Sequence, residues 1–436
     1  MPGRRRRERA LLVHVHLPGR YEPEDLEELR RLAESAGAEV CGVVTGRRDA
    51  PDAATFIGRG KAEEIAAQVT ATSADLVLVN HELSPSQERN LEKIVGGRVL
   101  DRVGLILDIF AQRAQSAEGK LQVELAQLEH LSTRLVRGWT HLERQKGGIG
   151  LRGPGETQLE VDRRLVRDRI KKLNERLERV SVQRRSRRRA RHKVPIPTIS
   201  LVGYTNAGKS TLFNRLTGAS VYSADQLFAT LDPTMRRLEL PGRVSVVLAD
   251  TVGFVRHLPH DLVEAFKSTL EEVAEADLLL HVVDQSSPER NEQQQRVNEV
   301  LAEIGAAGIP QLTVFNKIDL SGDAPRTAMD ATGQPNRVWL SAQTGTGIGE
   351  LQEALSIFFR RDRRLYRFRL PPEAGRLRSI LHERFEVQGE SALDDGTMEL
   401  MVALNRAQHD WFTQQEGYDP RFLQDDGAVV LAPTGS

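Results

Sequence analysis

The middle of the chain contains a glycine-rich segment with the pattern G-x-x-x-x-G-K-[ST], which is typical of loops that bind nucleotide phosphates. Its residues are Gly203, Tyr204, Thr205, Asn206, Ala207, Gly208, Lys209 and Ser210. In such a loop backbone N–H groups point at phosphate oxygens, and the following helix adds partial positive charge from its N-terminus. We expect Lys209 to reach the β- and γ-phosphates and the Ser210 hydroxyl to bind Mg²⁺.

Two later segments predict which nucleotide base the protein binds. The pattern N-K-x-D is formed by Asn316, Lys317, Ile318 and Asp319. A short loop whose backbone would read guanine O6 is formed by Ser341, Ala342 and Gln343. The Asp319 carboxylate would accept hydrogen bonds from N1 and the 2-amino group of guanine. Adenine lacks this donor pair and would leave the carboxylate desolvated, so the sequence predicts GTP and GDP rather than ATP.

Two further segments predict the parts that sense the γ-phosphate. The pattern D-x-x-G is formed by Asp250, Thr251, Val252 and Gly253. Asp250 would hold Mg²⁺ through water and the Gly253 N–H would bond the γ-phosphate until hydrolysis releases it. The loop before the preceding strand contains Phe228, Ala229, Thr230, Leu231 and Asp232. Thr230 and Thr234 are both spaced to reach Mg²⁺, and we prefer Thr230.

Phe254 follows D-x-x-G, where many GTPases carry a glutamine that orients the attacking water. An aromatic ring cannot orient water by hydrogen bonding. We therefore predict slow intrinsic hydrolysis that needs a group from elsewhere, and we assign no catalytic residue.

Composition narrows the class of protein. At 436 residues the chain is expected to contain several domains. Lys+Arg and Asp+Glu are equal at 61 each, so net charge indicates no partner. Cys41 is the only cysteine, which excludes an intramolecular disulfide and suits a reducing cytoplasm. No apolar run approaches the roughly 18 residues of a membrane span. We expect a cytoplasmic protein without integral membrane insertion, and leave peripheral membrane association open.

The elements that position these motifs divide into four predicted segments. They are an N-terminal α/β domain at 1–110, a helical hairpin with a glycine-rich tip and basic linker at 111–193, a GTPase domain at 194–360 and a C-terminal domain at 361–436. The predicted fold class is α/β multidomain: a P-loop GTPase domain preceded by a small α/β domain and a long antiparallel helical hairpin, and followed by a small α+β domain.

The N-terminal segment alternates strand and helix patterns, which predicts a largely parallel sheet. Its turn Gly58–Lys61 precedes a helix and could hold an anion, and a structural glycine turn is an equal alternative. Further on, apolar residues recur at helical spacing from Leu121 to Leu142 and from Leu159 to Val180. These stripes predict two long helices that bury their apolar faces against each other.

The join between the helices is unusual. Residues 147–155 contain five glycines and one proline in nine positions. Such a tip can approach a backbone or a phosphate chain closely, and the alternative is a plain connector. The basic run at 184–193 favours an RNA-phosphate contact at least as much as a solvated linker. Residues 358–378 interleave aromatics with arginines, which fits either an amphipathic strand or an RNA-facing surface.

The chain resembles the HflX family of GTPases, related to the Obg group, from Leu11 to about Arg378. The resemblance is carried by 147–160, 203–210, 228–232 and 250–259. It implies a partner in the 50S ribosomal subunit and its 23S rRNA, a hairpin tip that works near the peptidyl-transferase centre, and splitting of 70S ribosomes under stress. It also implies that Asn206 could help hold K⁺, as its counterpart does in related potassium-dependent GTPases.

We therefore expect a monomeric GTPase that splits or rescues 70S ribosomes and is stimulated by the ribosome. Two alternatives stay open. One is an ATP-dependent RNA-remodelling factor that uses the N-terminal domain, and the other is a signalling GTPase that acts on a protein partner.

Overall fold

The computed structural model describes residues 7–18, 24–138, 158–191, 196–219, 227–242, 244–255, 270, 273–361 and 363–430. The chain forms two compact units. The first comprises Met1–Val182, Tyr222–Asp232 and Val252–Leu270, and the second Gln183–Val221, Pro233–Thr251 and Glu271–Ser436. No helix among the described residues is long and apolar enough to cross a membrane.

The first unit begins with a four-stranded sheet in the order β2-β1-β3-β4. Its elements are β1 (Arg9–His16), α1 (Glu24–Ser35), β2 (Glu39–Arg47), α2 (Arg59–Thr72), β3 (Leu76–Val79), α3 (Pro85–Val95), β4 (Arg98–Asp101) and α4 (Arg102–Arg113). All neighbouring strands are parallel, which confirms the predicted sheet. Because helices cover such a sheet, β3 is entirely apolar and buried, and β1 is buried from Ala10 to Val15.

Local signals fix two boundaries in this domain. Ser84 followed by Pro85 predicts a helix start, with the serine as N-cap and the proline in the first turn. The structure confirms it, because Ser84 caps α3 through a capping box with Gln87. The apolar run from Val99 to Ile109 predicts a further strand, but this strand ends at Asp101, whose side chain accepts the Gly104 N–H and starts α4. The rest of that apolar run is therefore a buried helix, since periodicity alone does not separate the two.

Two long helices follow, α5 (Ala117–Gly138) and α6 (Gln158–Arg191). In α6 Leu173 is buried, as expected of the stripe. In α5 the stripe is only partly core, because Leu131 is 45% exposed. An ion pair between Arg169 and Glu124 joins the two helices. The glycine-rich tip, and with it the prediction about its use, lies outside the described residues, as do 192–193 at the end of the basic run.

The C-terminal part of α5 is anchored to the N-terminal domain by Arg134. Its Nε donates to Glu88 Oε2 at 2.7 Å and its Nη2 to Asp101 Oδ2 at 2.9 Å. Asp101 is fully buried, so removal of this guanidinium would leave a buried carboxylate with less compensation. Burial raises the pKa of Glu88, whereas Arg134 opposes this shift.

The second unit contains a seven-stranded sheet in the order β10-β11-β9-β8-β5-β7-β6. Its elements are β5 (Thr198–Gly203), α7 (Lys209–Thr217), β6 (Thr234–Leu240), β7 (Val244–Asp250), β8 (Leu278–Asp284), α8 (Arg290–Glu303), β9 (Gln311–Asn316), α9 (Ile318–Ser321), β10 (Arg326–Met329), β11 (Pro335–Trp339) and α10 (Ile348–Arg360). The five central strands are parallel and the two edge strands antiparallel. The carboxyl ends of β5, β7, β8 and β9 therefore meet at one edge.

A four-stranded antiparallel sheet in the order β13-β14-β12-β15 follows in the same unit. Its elements are β12 (Arg364–Leu370), α11 (Gly375–Arg384), β13 (Glu386–Ala392), β14 (Met398–Leu404), α12 (Arg406–Thr413) and β15 (Leu423–Val430). This arrangement confirms the predicted α+β region. On β12 Tyr366, Phe368 and Leu370 are buried while the alternating arginines face outward, so this part of the basic–aromatic segment is an amphipathic strand.

Candidate functional site

The glycine-rich segment forms the turn between β5 and α7. Gly203 and Gly208 have φ of 148° and 93°, which side-chain-bearing residues rarely adopt. A Cβ at Gly203 would lie 2.2 Å from the Val282 carbonyl oxygen, and one at Gly208 would lie 2.2 Å from Asn316 Nδ2. The strand–turn–helix context and both glycine requirements fit a phosphate-binding loop. Asn206 also has a positive φ, of 61°.

Lys209 lies inside this turn. Its Nζ donates to the carbonyl oxygens of Gly203 at 3.0 Å and Tyr204 at 2.8 Å. Burial lowers the pKa of Lys209 to about 8, and the charge of Asp250 opposes the shift. A buried ammonium held by two backbone carbonyl oxygens favours an anionic ligand, because a phosphate would add negative charge beside it.

Ser210 and Asp250 are brought together although 40 positions separate them. The Ser210 hydroxyl donates to Asp250 Oδ2 at 2.7 Å, because α7 begins next to the end of β7. A hydroxyl and a carboxylate with hard oxygen donors are what Mg²⁺ prefers, so the donor set fits that ion. Among the described residues no group of three or more His, Cys, Asp or Glu forms a separate metal cluster.

Asn316 links the phosphate loop to the base-reading loop. Its Nδ2 donates to the Ala207 carbonyl and its Oδ1 accepts the Ala342 N–H, each at 2.8 Å. The side chain is 2% exposed, so this amide is a buried internal brace. Asp319 is exposed and its carboxylate is accessible to a base.

Sequence reasoning missed two residues that position this end of the site. Arg215 on α7 donates from Nε to the Ala342 carbonyl at 3.2 Å and from Nη2 to the Gln343 carbonyl. Asp284 at the end of β8 pairs with Lys317 at 2.7 Å. Neither residue belongs to a recognisable motif, and only the parallel sheet brings these pairs together.

The loop at 227–232 belongs to the first unit and contacts the base of the hairpin there. Asp232 Oδ2 accepts the backbone N–H groups of Gln115 at 2.7 Å and Ser116 at 2.8 Å, and Oδ1 accepts the Ser116 hydroxyl. Ser116 Oγ in turn accepts the Gly119 N–H at 2.8 Å, which caps α5. A Cβ at Gly119 would lie 2.3 Å from Asp232 Oδ1, so glycine is needed for this approach.

The same loop is also held by the N-terminal domain. The Leu227 N–H donates to Ser35 Oγ at 2.9 Å. Phe228, with φ of 55°, is 2% exposed and packs edge-on against Phe110 of α4 with ring centroids 4.6 Å apart. Thr230 is buried in this unit, whereas Thr234, the other candidate, begins β6 opposite Asp250 of β7. Phe254 is 2% exposed in the first unit.

Comparison with known proteins gives the family. Three family models match consecutive segments: "GTP-binding GTPase N-terminal" over 23–111, "GTP-binding GTPase Middle Region" over 113–191 and "50S ribosome-binding GTPase" over 198–317. The GTPase HflX of Escherichia coli K12 is 58% identical over 91% of this chain and 93% of its own length. The chain belongs to the HflX family of GTPases. The HflX of Caldanaerobacter subterraneus subsp. tengcongensis is 49% identical over 90% of each chain.

HflX membership makes this chain a GTP-binding enzyme that hydrolyses GTP. Among solved structures, SsGBP with GDP is 26% identical over 80% of this chain and 97% of its own, with a TM-score of 0.47. The family is the one that the sequence resembles, and the sheets and helices described above form the predicted fold, whereas the roles of the individual site residues remain predictions.

Proposed function

We propose that this HflX GTPase binds the large ribosomal subunit and splits or rescues 70S ribosomes, with GTP controlling the helical hairpin. The observation that carries the proposal is the contact between the 227–232 loop and the first turn of α5. A loop expected to sense the γ-phosphate shares hydrogen bonds with a hairpin helix, so a change in one alters the other. The family description over 198–317 supports the choice of 50S partner.

In this proposal the site residues act as follows. Lys209 and the loop amides bind the phosphates, while Ser210, Thr230 and water held by Asp250 bind Mg²⁺, which would neutralise phosphate charge. The Asp319 carboxylate and the backbone of 341–343 select guanine. Phe254 cannot orient water, so intrinsic turnover is slow and the ribosome completes the site.

A sedimentation experiment tests the ribosome partner. Incubation of 70S ribosomes with the protein and GTP, or a non-hydrolysable analogue, should yield separated subunits, and GDP should not. A chain with 147–155 shortened should keep nucleotide affinity but lose splitting. The matched control replaces 147–155 with a glycine–serine segment of the same length, because this variant keeps the length of the tip and changes only its sequence.

Two other outcomes would favour one of the two alternative functions over ribosome splitting. Intact 70S ribosomes together with ATP-dependent unwinding of an RNA duplex would favour the remodelling factor. Full activity after shortening of the tip would favour a protein partner. The turn at Gly58 offers the remodelling factor little, because its φ of 84° gives this glycine a structural reason.

A monovalent cation near Asn206 is the second cofactor that we propose. Its positive charge between the phosphates would perform the electrostatic role of an arginine finger. Turnover with 50S subunits should be several-fold faster in K⁺ than in Na⁺, and Asn206→Ala should remove the difference. Equal rates in the two salts would exclude this cation.

A further inference from the structure

A cavity lies in the same unit as the phosphate loop, at the opposite edge of the sheet. Its volume is about 820 Å³, and its walls come from the end of α10, the start of β12 and the first turn of α12. Pro197 and Asp277, which precede β5 and β8, close it from the side of the nucleotide domain. Because it lies at the amino ends of those strands, it is separate from the nucleotide site at their carboxyl ends.

The cavity is basic. Its lining includes Arg361, Arg363, Arg364 and Arg406. Two carboxylates also line it, Asp277 and Asp410. Asp277 Oδ2 accepts the Thr198 N–H at 2.7 Å, and Asp410 is largely exposed, 4.0 Å from Arg406 Nε. The four guanidinium groups outnumber these two carboxylates, and when Glu386, the partner of Arg363, is also counted, one positive charge remains in excess among these residues, which favours an anionic ligand.

Arg363 is the most buried of the four arginines that line the cavity, and it gives the strongest indication of a ligand. It is 5% exposed, and its Nη1 donates to Glu386 at 3.1 Å. Its Nε has no hydrogen-bond partner among the residues that the structure describes. Burial lowers the pKa of Arg363, while Glu386 opposes the shift. A buried donor without an acceptor is costly, and because Arg363 lines the cavity, a shift of its guanidinium towards a bound anion would satisfy this donor.

Aromatic rings stand beside these donors. The Arg361 guanidinium lies 4.2 Å over the Phe358 ring, and Phe359, half-buried, meets Phe358 edge-on. Tyr366 and His409 stack with centroids 4.4 Å apart. Arginines interleaved with aromatic faces are typical of grooves that hold single-stranded nucleic acid, because phosphates pair with the former and bases stack on the latter.

We propose that this arginine cavity binds the sugar–phosphate backbone of a single-stranded RNA segment, with a phosphate at Arg363 and Arg364 and a base against Phe359. The guanidinium fork matches a phosphate in two parallel hydrogen bonds. The proposal deepens the ribosome-directed function by adding an RNA contact remote from the hairpin, and it does not require splitting activity.

The test measures binding of a short fluorescein-labelled oligouridylate to the full chain with the phosphate loop saturated by GDP. The double variant Arg364→Glu, Arg406→Glu reverses two exposed charges and spares buried Arg363, whose loss would leave Glu386 unpaired. We expect affinity to fall about tenfold or more. The slope of log K against log salt should fall by about 1.4, because each phosphate that is no longer neutralised lowers it by about 0.7.

Arg367→Glu is the matched control, because Arg367 is exposed on the same strand but does not line the cavity. It should change affinity much less. An equal loss of affinity in the control, or no loss in the double variant, would overturn the proposal. So would competition by inorganic phosphate or a mononucleotide as strong as that by RNA, which would indicate a small-anion site, or stronger competition by polyglutamate, which would indicate an acidic peptide.

Photocrosslinking localises the contact. An oligonucleotide containing 4-thiouridine should crosslink to the peptide that includes Phe359 and Tyr366, and less so in the double variant. Crosslinks confined to other peptides would refute the assignment. Unchanged GDP affinity of the variants establishes that they are folded, and 70S sedimentation measures the splitting function separately.

Discussion

At the scale of single residues, Lys209 shows how burial makes a charge responsive to a ligand. Its ammonium is held by two carbonyl oxygens, and desolvation lowers its pKa to about 8. Since the pKa is lowered, the protonated form costs folding free energy below that pH, and this cost is relieved as pH rises from about 8 towards the ordinary lysine pKa of 10.5. Bound phosphates act in the opposite direction, because their negative charge stabilises the protonated form of Lys209 and raises its pKa.

We therefore predict that nucleotide affinity falls above about pH 8. Above that pH Lys209 is mostly deprotonated in the free protein, so nucleotide binding requires the uptake of a proton at this side chain. The Kd of labelled GDP should therefore rise towards tenfold per pH unit between about pH 8 and pH 9.5. Lys209→Arg is the matched variant, because its guanidinium stays protonated. It should bind more weakly with little dependence on pH in this window, and an equal slope in both proteins would contradict the prediction.

At the scale of elements, the first turn of α5 is where the loop at 227–232, the candidate switch loop, meets the hairpin. A helix leaves several backbone N–H groups without partners at its N-terminus. Here Ser116 supplies the cap, and Asp232 from the switch loop accepts from Ser116 and from the Gln115 N–H. The start of the hairpin is thus completed by a residue that is distant in sequence.

Asp232→Asn and Gly119→Ala should each loosen this junction. The amide cannot accept as strongly as the carboxylate, and a Cβ at Gly119 would displace Asp232. Loss of such a cap costs roughly 1–2 kcal/mol, so amide hydrogen exchange at Ser116 should accelerate about 5- to 30-fold. Gly119→Ala raises the helix propensity of α5, so faster exchange in that variant would reflect the displaced Asp232 rather than a weaker helix.

Two controls accompany this prediction. Gly349 on α10 has open space around its Cβ position, so Gly349→Ala should leave exchange at Ser116 unchanged. Asp330 accepts hydrogen bonds from Thr332 and Gln334 in its own turn, so Asp330→Asn repeats the chemical change elsewhere. Unaltered exchange at Ser116 in both test variants would show that Asp232 does not support the helix.

At the scale of the whole molecule, the sequence by itself determined the elements and the chemistry of the ligand. Three features are local patterns: the guanine motifs, the alternation of strands and helices at the N-terminus and the long helical stripes. Each depends on residues close together in the sequence, so it can be recognised without knowledge of the tertiary fold. Leu131 is a counterexample within its stripe, because helical spacing identifies a face of α5 but not how far its partner covers that face.

Only the tertiary structure decided which distant groups meet. The Arg215 contacts with 342–343, the Asn316 brace and the Asp232–Ser116 contact join residues with no common motif, and they depend on how parallel strands and helix ends are brought together. The motifs already predicted a shared Mg²⁺ site for Ser210 and Asp250, and the structure supplies their direct hydrogen bond. The arginine cavity is a similar case. The sequence left 358–378 open between a strand and an RNA surface, and the fold divides it: β12 takes the aromatic rings into the core, while the arginines at its beginning meet Arg406 around a cavity. Burial and charge pairing depend on three-dimensional neighbours, which periodicity along one chain cannot specify.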